Sequence, residues 1–297
     1  MDYINKKDAA FCLLSRNQMK TILFTSLSLV AFAANSILCR FALGGELIDA
    51  ASFTSIRICS GAIFLGIILI LTKRGTMHIS YKIQWMMPVM LTMYALFFSY
   101  AYTSLSTGTG ALILFGAVQA TMIISGWISG ERMNLIQVAG FFLAVIGLVY
   151  LVSPGLSSPS PLGAALMTIA GIAWGIYSLF GRQTKDPVIT TTLNFIYSIP
   201  IVLIAGLLIA SPVLITSKGV FAAVISGTLA SGAGYVIWYA ALKGLNATRA
   251  AIIQLTVPVI AAMGGIVLLS ETFSARLFIS SIIILSGVGL ALHKKKG

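Results

Sequence analysis

Four side chains with strong hydrogen-bonding capacity stand inside otherwise apolar stretches: Asn35, Arg57, Gln119 and Gln254. In hydrocarbon an unpartnered amide costs roughly 2–7 kcal/mol and a charge costs more, so each needs a partner or a task. Helical spacing gives them company. Phe115, Gln119 and Met122 fall at i, i+4 and i+7 on one stripe, and Gln254 shares a face with Pro258. Trp174 and Tyr177 are three apart; Tyr235, Trp238 and Tyr239 follow one another closely, as do Tyr94, Phe98 and Tyr102. Amides set among aromatic faces suit an amphipathic small molecule, its apolar part stacked and its polar end hydrogen-bonded. Bond-breaking chemistry would need a catalytic pair at matching depth. The two histidines lie in or beside loops, and the three cysteines (Cys12, Cys39, Cys59) lack metal spacing, so neither a metal nor a cofactor is expected.

The elements that carry these residues follow from composition. The chain has 297 residues, 58% hydrophobic and 9% charged, with mean hydropathy +1.00. Soluble domains carry about 25% charged residues. Apolar blocks of about twenty residues match the length needed to cross a bilayer. The expected spans are 21–43, 50–72, 84–103, 108–129, 135–153, 161–181, 190–210, 219–242, 247–269 and 275–292. The fold class expected is an all-α polytopic membrane protein. A signal-peptide reading of the first block, which ends in Ala31-Phe32-Ala33, is rejected in favour of a first transmembrane helix.

Ten spans place both termini on one side. That side collects Lys6, Lys7, Arg16, Lys20, Lys73, Arg74, Lys82, Arg132, Arg182, Lys185, Lys243, Arg249 and Lys294–Lys296, fifteen of the 19 basic residues. Basic loops stay cytoplasmic, so the net charge of +12 reads as topology in an inner (plasma) membrane and not as a nucleic-acid footprint.

The block pattern repeats. A shift of 140 lays Glu131 on Glu271, Gly147 on Gly287 and Leu105 on Leu245; a shift of 142 lays AFAANSILCR (31–40) on AWGIYSLFGR (173–182), and so Asn35 on Tyr177. Each half has five spans. Five is odd, so the second half enters the membrane from the opposite face, the inverted arrangement of secondary transporters with a midplane site. The expected division is a tail 1–20, a first repeat 21–153, the uncharged SPGLSSPSP linker, a second repeat 161–292 and a basic tail 293–297.

The stretch YAALKGLNATRAAIIQLTVPVIAAMGGIVLLSETFS (239–274) resembles the signature of the EamA branch of the drug/metabolite transporter superfamily, with Pro258 inside a span that ends at Glu271. Its first-half counterpart, TSLSTGTGALILFGAVQATMIISGWISGERM (103–133), keeps Glu131 but has Val118 where the family often has Pro. The resemblance implies that helices 1, 3, 4, 6, 8 and 9 enclose a central cavity, with helices 5 and 10 peripheral. It also implies transport of small polar or amphipathic metabolites, often amino acids and commonly outward.

Together these readings make the chain a carrier of an amino-acid-like metabolite, working by alternating access and as a monomer or homodimer. The substrate-facing residues expected are Asn35, Tyr94, Phe115, Gln119, Trp174, Tyr177, Tyr235, Trp238, Gln254 and Pro258. Arg57, roughly 12 Å inside helix 2 on a 1.5 Å rise, is expected to attract an anionic group or to pair with Glu46 or Asp49. Tyr102, Tyr239 and Trp85 stand at span ends, where an interfacial belt is expected. Glu131 and Glu271 end their helices against the dipole, and each is expected to cap the following helix. No acid lies in mid-span, which points to facilitated export. The alternatives are a proton-coupled multidrug or cation efflux carrier, a channel, and an intramembrane enzyme. Small residues on helix 8 (Gly227, Ser231, Gly232, Gly234) and helix 9 (Ala261, Ala262, Gly264, Gly265) are expected to let the hairpins rock.

Overall fold

In hydrocarbon every backbone N–H and C=O must be bonded within the chain, so apolar blocks of this length become helices. The computed structural model describes residues 2–72, 85–128, 135–153, 158–209, 212–245, 250, 253–254, 256–272 and 274–291. We label ten helices among them: α1 Asp2–Gly44, α2 Ala50–Thr72, α3 Met86–Tyr102, α4 Thr107–Ile128, α5 Leu135–Val152, α6 Pro161–Gly181 and α7 Pro187–Leu208. The remaining three are α8 Ser217–Leu242, α9 Thr256–Leu269 and α10 Ala275–Ala291. Six of the ten are long and apolar enough to cross a membrane, and four are shorter apolar helices. Glu131 and the tail 293–297 lie outside the described residues.

Helix starts follow from caps, and they explain where hydropathy misplaces a boundary. Ser160 Oγ accepts from Gly163 N ahead of Pro161, and Asp186 Oδ1 accepts from Val188 N and Ile189 N ahead of Pro187. Thr216 Oγ1 accepts from Gly219 N. Side-chain caps satisfy orphan donors, and Pro in the first turn lacks the donor that would be orphaned. So α7 and α8 begin at Pro187 and Ser217, ahead of their most apolar residues. α1 likewise runs back to Asp2 through a polar stretch.

The helices pack in symmetric pairs. α3 lies on α6 as α8 lies on α1; α4 lies on α6 as α9 lies on α1; α3 meets α7 as α8 meets α2. Three pairs are self-related: α2 with α7, α4 with α9, α5 with α10. The last pair is the most telling. A side chain at Gly147 would strike Ile283 and Ile284, while one at Gly287 would strike the backbone of Ala144 and Gly140. The contact 147–284 and the contact 144–287 exchange under the 140-residue shift, and they run antiparallel. A pseudo-two-fold axis therefore crosses this pair perpendicular to the helices.

One end of the bundle is tied shut between the halves. Arg40, near the C-terminal end of α1, donates from Nε to Glu271 Oε1 at 3.2 Å and from Nη1 to Tyr102 O at 3.1 Å. Both Glu271 oxygens accept from Thr107 N, the first residue of α4, at 3.0 and 2.9 Å. Glu271 does cap a helix, but the helix is α4 across the interface and not the α10 that follows it. The reason is the close approach of α9 to α4, where Gly265 lies against Thr107 and Gly108 against Ala262. Beside this latch the α1–α2 and α7–α8 loops pair: Asp49 N donates to Leu214 O at 2.9 Å, and Thr216 N donates to Leu47 O at 3.0 Å. Partial burial acts to raise the Asp49 pKa, but the N–H groups of Ser52 and Leu214 outweigh it and hold the carboxyl below its usual range.

Two outcomes test this packing through melting temperatures of the purified protein. Gly287→Leu, which forces backbone apart at α5, is expected to cost about 1–3 kcal/mol, whereas Gly66→Ala, which meets nothing within 4 Å, leaves stability near the parent. Glu271→Gln removes the ion pair and weakens the cap, and is expected to cost about 1–3 kcal/mol.

Candidate binding site

The polar and aromatic residues picked out by spacing converge near the middle of the bundle. Asn35 of α1 donates from Nδ2 to Tyr94 OH at 3.1 Å, and Ser226 Oγ donates to its Oδ1 at 2.6 Å. Tyr94 is the central residue of α3. Its ring lies 4.9 Å from Trp174 and 6.4 Å from Tyr235, and Trp174 lies 4.6 Å from Tyr235. Tyr177 extends the stack, 5.6 Å from Trp174. Trp238 joins it through Phe32, edge to face at 5.6 Å. Gln254 Oε1 accepts from Trp174 Nε1 at 3.5 Å, and its Nε2 donates to Ala250 O at 3.4 Å. The rings pack against one another and are closed to water: Asn35, Tyr94, Trp174, Tyr177, Tyr235, Trp238 and Gln254 are all buried. The expected aromatic cluster is thus a packed one, its centre filled by its own rings.

Arg57 enters this cluster from α2. It is 0% exposed. Nε donates to Ser231 Oγ at 2.9 Å, and Nη2 donates to Tyr235 OH at 2.8 Å and to Tyr94 OH at 3.4 Å. The guanidinium carbon stands 5.3 and 5.4 Å from the centres of the Tyr94 and Phe98 rings, within cation–π range. The expected pairing with Glu46 or Asp49 is therefore corrected. Asp49 is engaged at the start of α2, accepting from Ser52 N at 2.9 Å, and two helical turns separate it from Arg57. The guanidinium points inward to hydroxyls.

Local backbone explains how α8 meets Arg57. Residues Ser226–Ala233 form a π-helical segment inside α8, a departure frequent at functional sites. Gly227 in this segment sits where any Cβ would strike the Arg57 carbonyl and Ser60 Oγ. This is a close approach that only Gly allows, and it brings Ser231 and Tyr235 within reach of the guanidinium.

Spacing missed several members. Phe32, Phe195, Ser226 and Ser231 belong to the cluster, and α2 and α7 reach the centre alongside the six helices expected. Phe32 falls three residues before Asn35 on the same α1 face, a usable signal; Ser226 and Ser231 gave none, because the π segment breaks the 3.6 period. Phe115, Gln119 and Pro258 are buried, with Phe115 making no ring contact to the cluster among the described residues. Tyr102 and Tyr239 are not belt residues. Both are fully buried, and their hydroxyls donate to Thr107 O and Tyr177 O at 3.2 Å. Trp85, by contrast, is exposed and 5.5 Å from Tyr197.

A second feature lies to one side. A cavity of about 650 Å³ opens between α4 and α6, lined by Ala117, Thr121, Ile124, Ile172, Ile176 and Gln183 among others. These α6 residues form a different stripe from Trp174 and Tyr177, so the cavity is separate from the ring cluster.

The profile of the EamA-like transporter family matches residues 19–153 and, again, 161–292. A Pseudomonas aeruginosa protein described as uncharacterized is 42% identical over 94% of this chain and 96% of its own length. An uncharacterized transporter of Archaeoglobus fulgidus is 30% identical over 71% of this chain and 78% of its own. A probable amino-acid metabolite efflux pump of Escherichia coli is 24% identical over 68% of this chain and 73% of its own. A solved crystal structure superposes with a TM-score of 0.65 over 90% of this chain and 97% of its own, at 18% identity, a likeness of fold. Two matched repeats covering most of the sequence, on a bundle of paired halves around a buried polar cluster, place this chain in the EamA-like transporter family of the drug/metabolite transporter superfamily.

Proposed function

We propose that the chain is a ten-span secondary carrier that moves a small amphipathic, amino-acid-like metabolite out across the inner membrane by alternating access. The observation that carries this reading is the closed cluster of Asn35, Tyr94, Trp174, Tyr177, Tyr235 and Gln254 between antiparallel halves. Inverted repeats carry their substrate at such a midplane seam. The four shorter helices complete the ten spans, with both termini cytoplasmic by the distribution of basic residues. On this topology the Arg40–Glu271–Thr107 latch closes the external end. Outward release requires it to part, while stacked rings separate to admit the substrate. Phe115, Gln119 and Pro258 line the path as the halves move. Efflux of amino-acid metabolites, the task named for the Escherichia coli relative, fits a site built of amides and aromatic faces. The absence of any acid in mid-span fits transport without proton coupling.

Purified protein in liposomes tests this reading. Flux of amino-acid metabolites is expected to saturate and to rise with counter-flow, and Trp174→Ala or Asn35→Ala is expected to lower it at least tenfold. Flux that never saturates, or that is negligible until a pH gradient is imposed, overturns the reading. Cysteines at Lys20 and Ser158 are expected to react from opposite compartments, and labelling of both from one side removes the inverted topology.

A further inference from the structure

Arg57 is the charged member of the cluster, and the packing leaves its hydrogen bonding incomplete. Its guanidinium is always charged and presents a rigid fork of N–H donors. Two of its nitrogens are bonded to hydroxyls, but Nη1 is buried with no hydrogen-bond partner. Trp238 Nε1 is likewise buried without a partner. Both groups are donors. The amide oxygens of the cluster bond elsewhere, Asn35 Oδ1 to Ser226 Oγ and Gln254 Oε1 to Trp174 Nε1, and neither reaches these two donors. Among the described residues the one salt bridge is Arg40–Glu271 at the bundle end, so no acid offsets the charge at the centre. A buried charge is normally paired, and the π-helical turn and Gly227 hold this one in place without a carboxylate.

We infer that Arg57 is the counter-ion for a carboxylate on the transported molecule, and that the site selects organic monoanions with an aromatic or apolar body over zwitterions and cations of the same shape. The inference rests on the carrier reading above and narrows it, from amino-acid-like metabolites in general to those that keep the carboxylate and lack the amine. A carboxylate accepts a forked pair of N–H bonds from the Nη1/Nη2 edge, satisfies the unpartnered donor and neutralises the site. The Tyr94, Trp174 and Tyr235 rings receive the body. An ammonium finds no acid here and meets a like charge, so the amine of an amino acid adds nothing to recognition. A consequence follows for energetics. A monoanion carried alone moves one negative charge, so an inside-negative potential drives it outward with no coupled ion. At equilibrium a tenfold gradient corresponds to about 60 mV.

Three ligands built on one phenyl ring and two-carbon spacer test this: 3-phenylpropionate, phenylalanine and 2-phenylethylamine, titrated into the purified 297-residue chain near pH 7. The expected order is 3-phenylpropionate tightest, phenylalanine weaker, and 2-phenylethylamine at least a hundredfold weaker than the acid. Arg57→Gln is expected to bring the three within about threefold of one another, and Arg57→Lys to restore part of the preference for the acid. In liposomes, 3-phenylpropionate is expected to accumulate tenfold for each roughly 60 mV of imposed potassium diffusion potential. Equal or tighter binding of the amine, a preference that survives in Arg57→Gln, or no binding of any of the three overturns the inference. The ranking in the parent protein stands even if Arg57→Gln fails to fold. Saturable counter-flow of other metabolites, measured independently, tells failure of this inference from failure of the carrier reading.

Discussion

A permanent positive charge at the centre of an apolar bundle constrains everything around it. Among the described residues no acid pairs with Arg57, and the structure surrounds it with oriented hydroxyls from two other helices and with the faces of two rings. Each of those contacts fixes a helix position. Tyr94 holds α3 at mid-length, Ser231 and Tyr235 hold α8, and Asn35 ties α1 to both through Tyr94 and Ser226. Hydrogen bonds between membrane helices average only about 0.6 kcal/mol each. The cluster is therefore better understood as a device that sets register among four helices than as a store of stability.

The apolar packing outside it is organised by the duplication. Gly147 and Gly287 stand at equivalent positions of the two repeats, and each opens its helix to the other. An antiparallel pair built this way closes on itself and adds no gap for ligand, which suits α5 and α10 to scaffolding. The pairs nearer the axis are looser in composition. α8 departs from α-helical hydrogen bonding over Ser226–Ala233, and α9 carries Gly264 and Gly265 against α1 and α4. Small residues and irregular backbone are thus concentrated on the helices around the polar cluster.

Much of this was legible in the sequence. Hydropathy located all ten apolar blocks, because a helix that meets lipid must be apolar over most of its length. The shift of 140 pairs Gly147 with Gly287, and both stand at the α5–α10 contact, each against the other helix. Spacing brought Tyr94, Trp174, Tyr177 and Tyr235 forward, since aromatic residues at mid-depth have no interface to occupy. What stayed hidden depends on three-dimensional closure. Arg57 looked close to Asp49 along the chain, but helix geometry turns it to the opposite task. Tyr102 and Tyr239 looked interfacial by depth, yet the helices packed around them cover them fully. The π segment cannot be read from composition, because its residues are ordinary ones for a helix contact.

Glu271 resolves the remaining puzzle of charge placement. A carboxylate at the C-terminal end of its own helix opposes that helix's dipole. Here it is delivered instead to the N-terminus of α4, where the first amide N–H points at both its oxygens and the dipole favours negative charge. Arg40 completes the arrangement from α1. One acid of the second repeat thus joins two helices of the first. Both partners are partly buried, with 25% of the Arg40 and 14% of the Glu271 side chain exposed, so the tie touches water only at its edge. The fully buried charge of Arg57, by contrast, has no water to turn to and must be answered from inside.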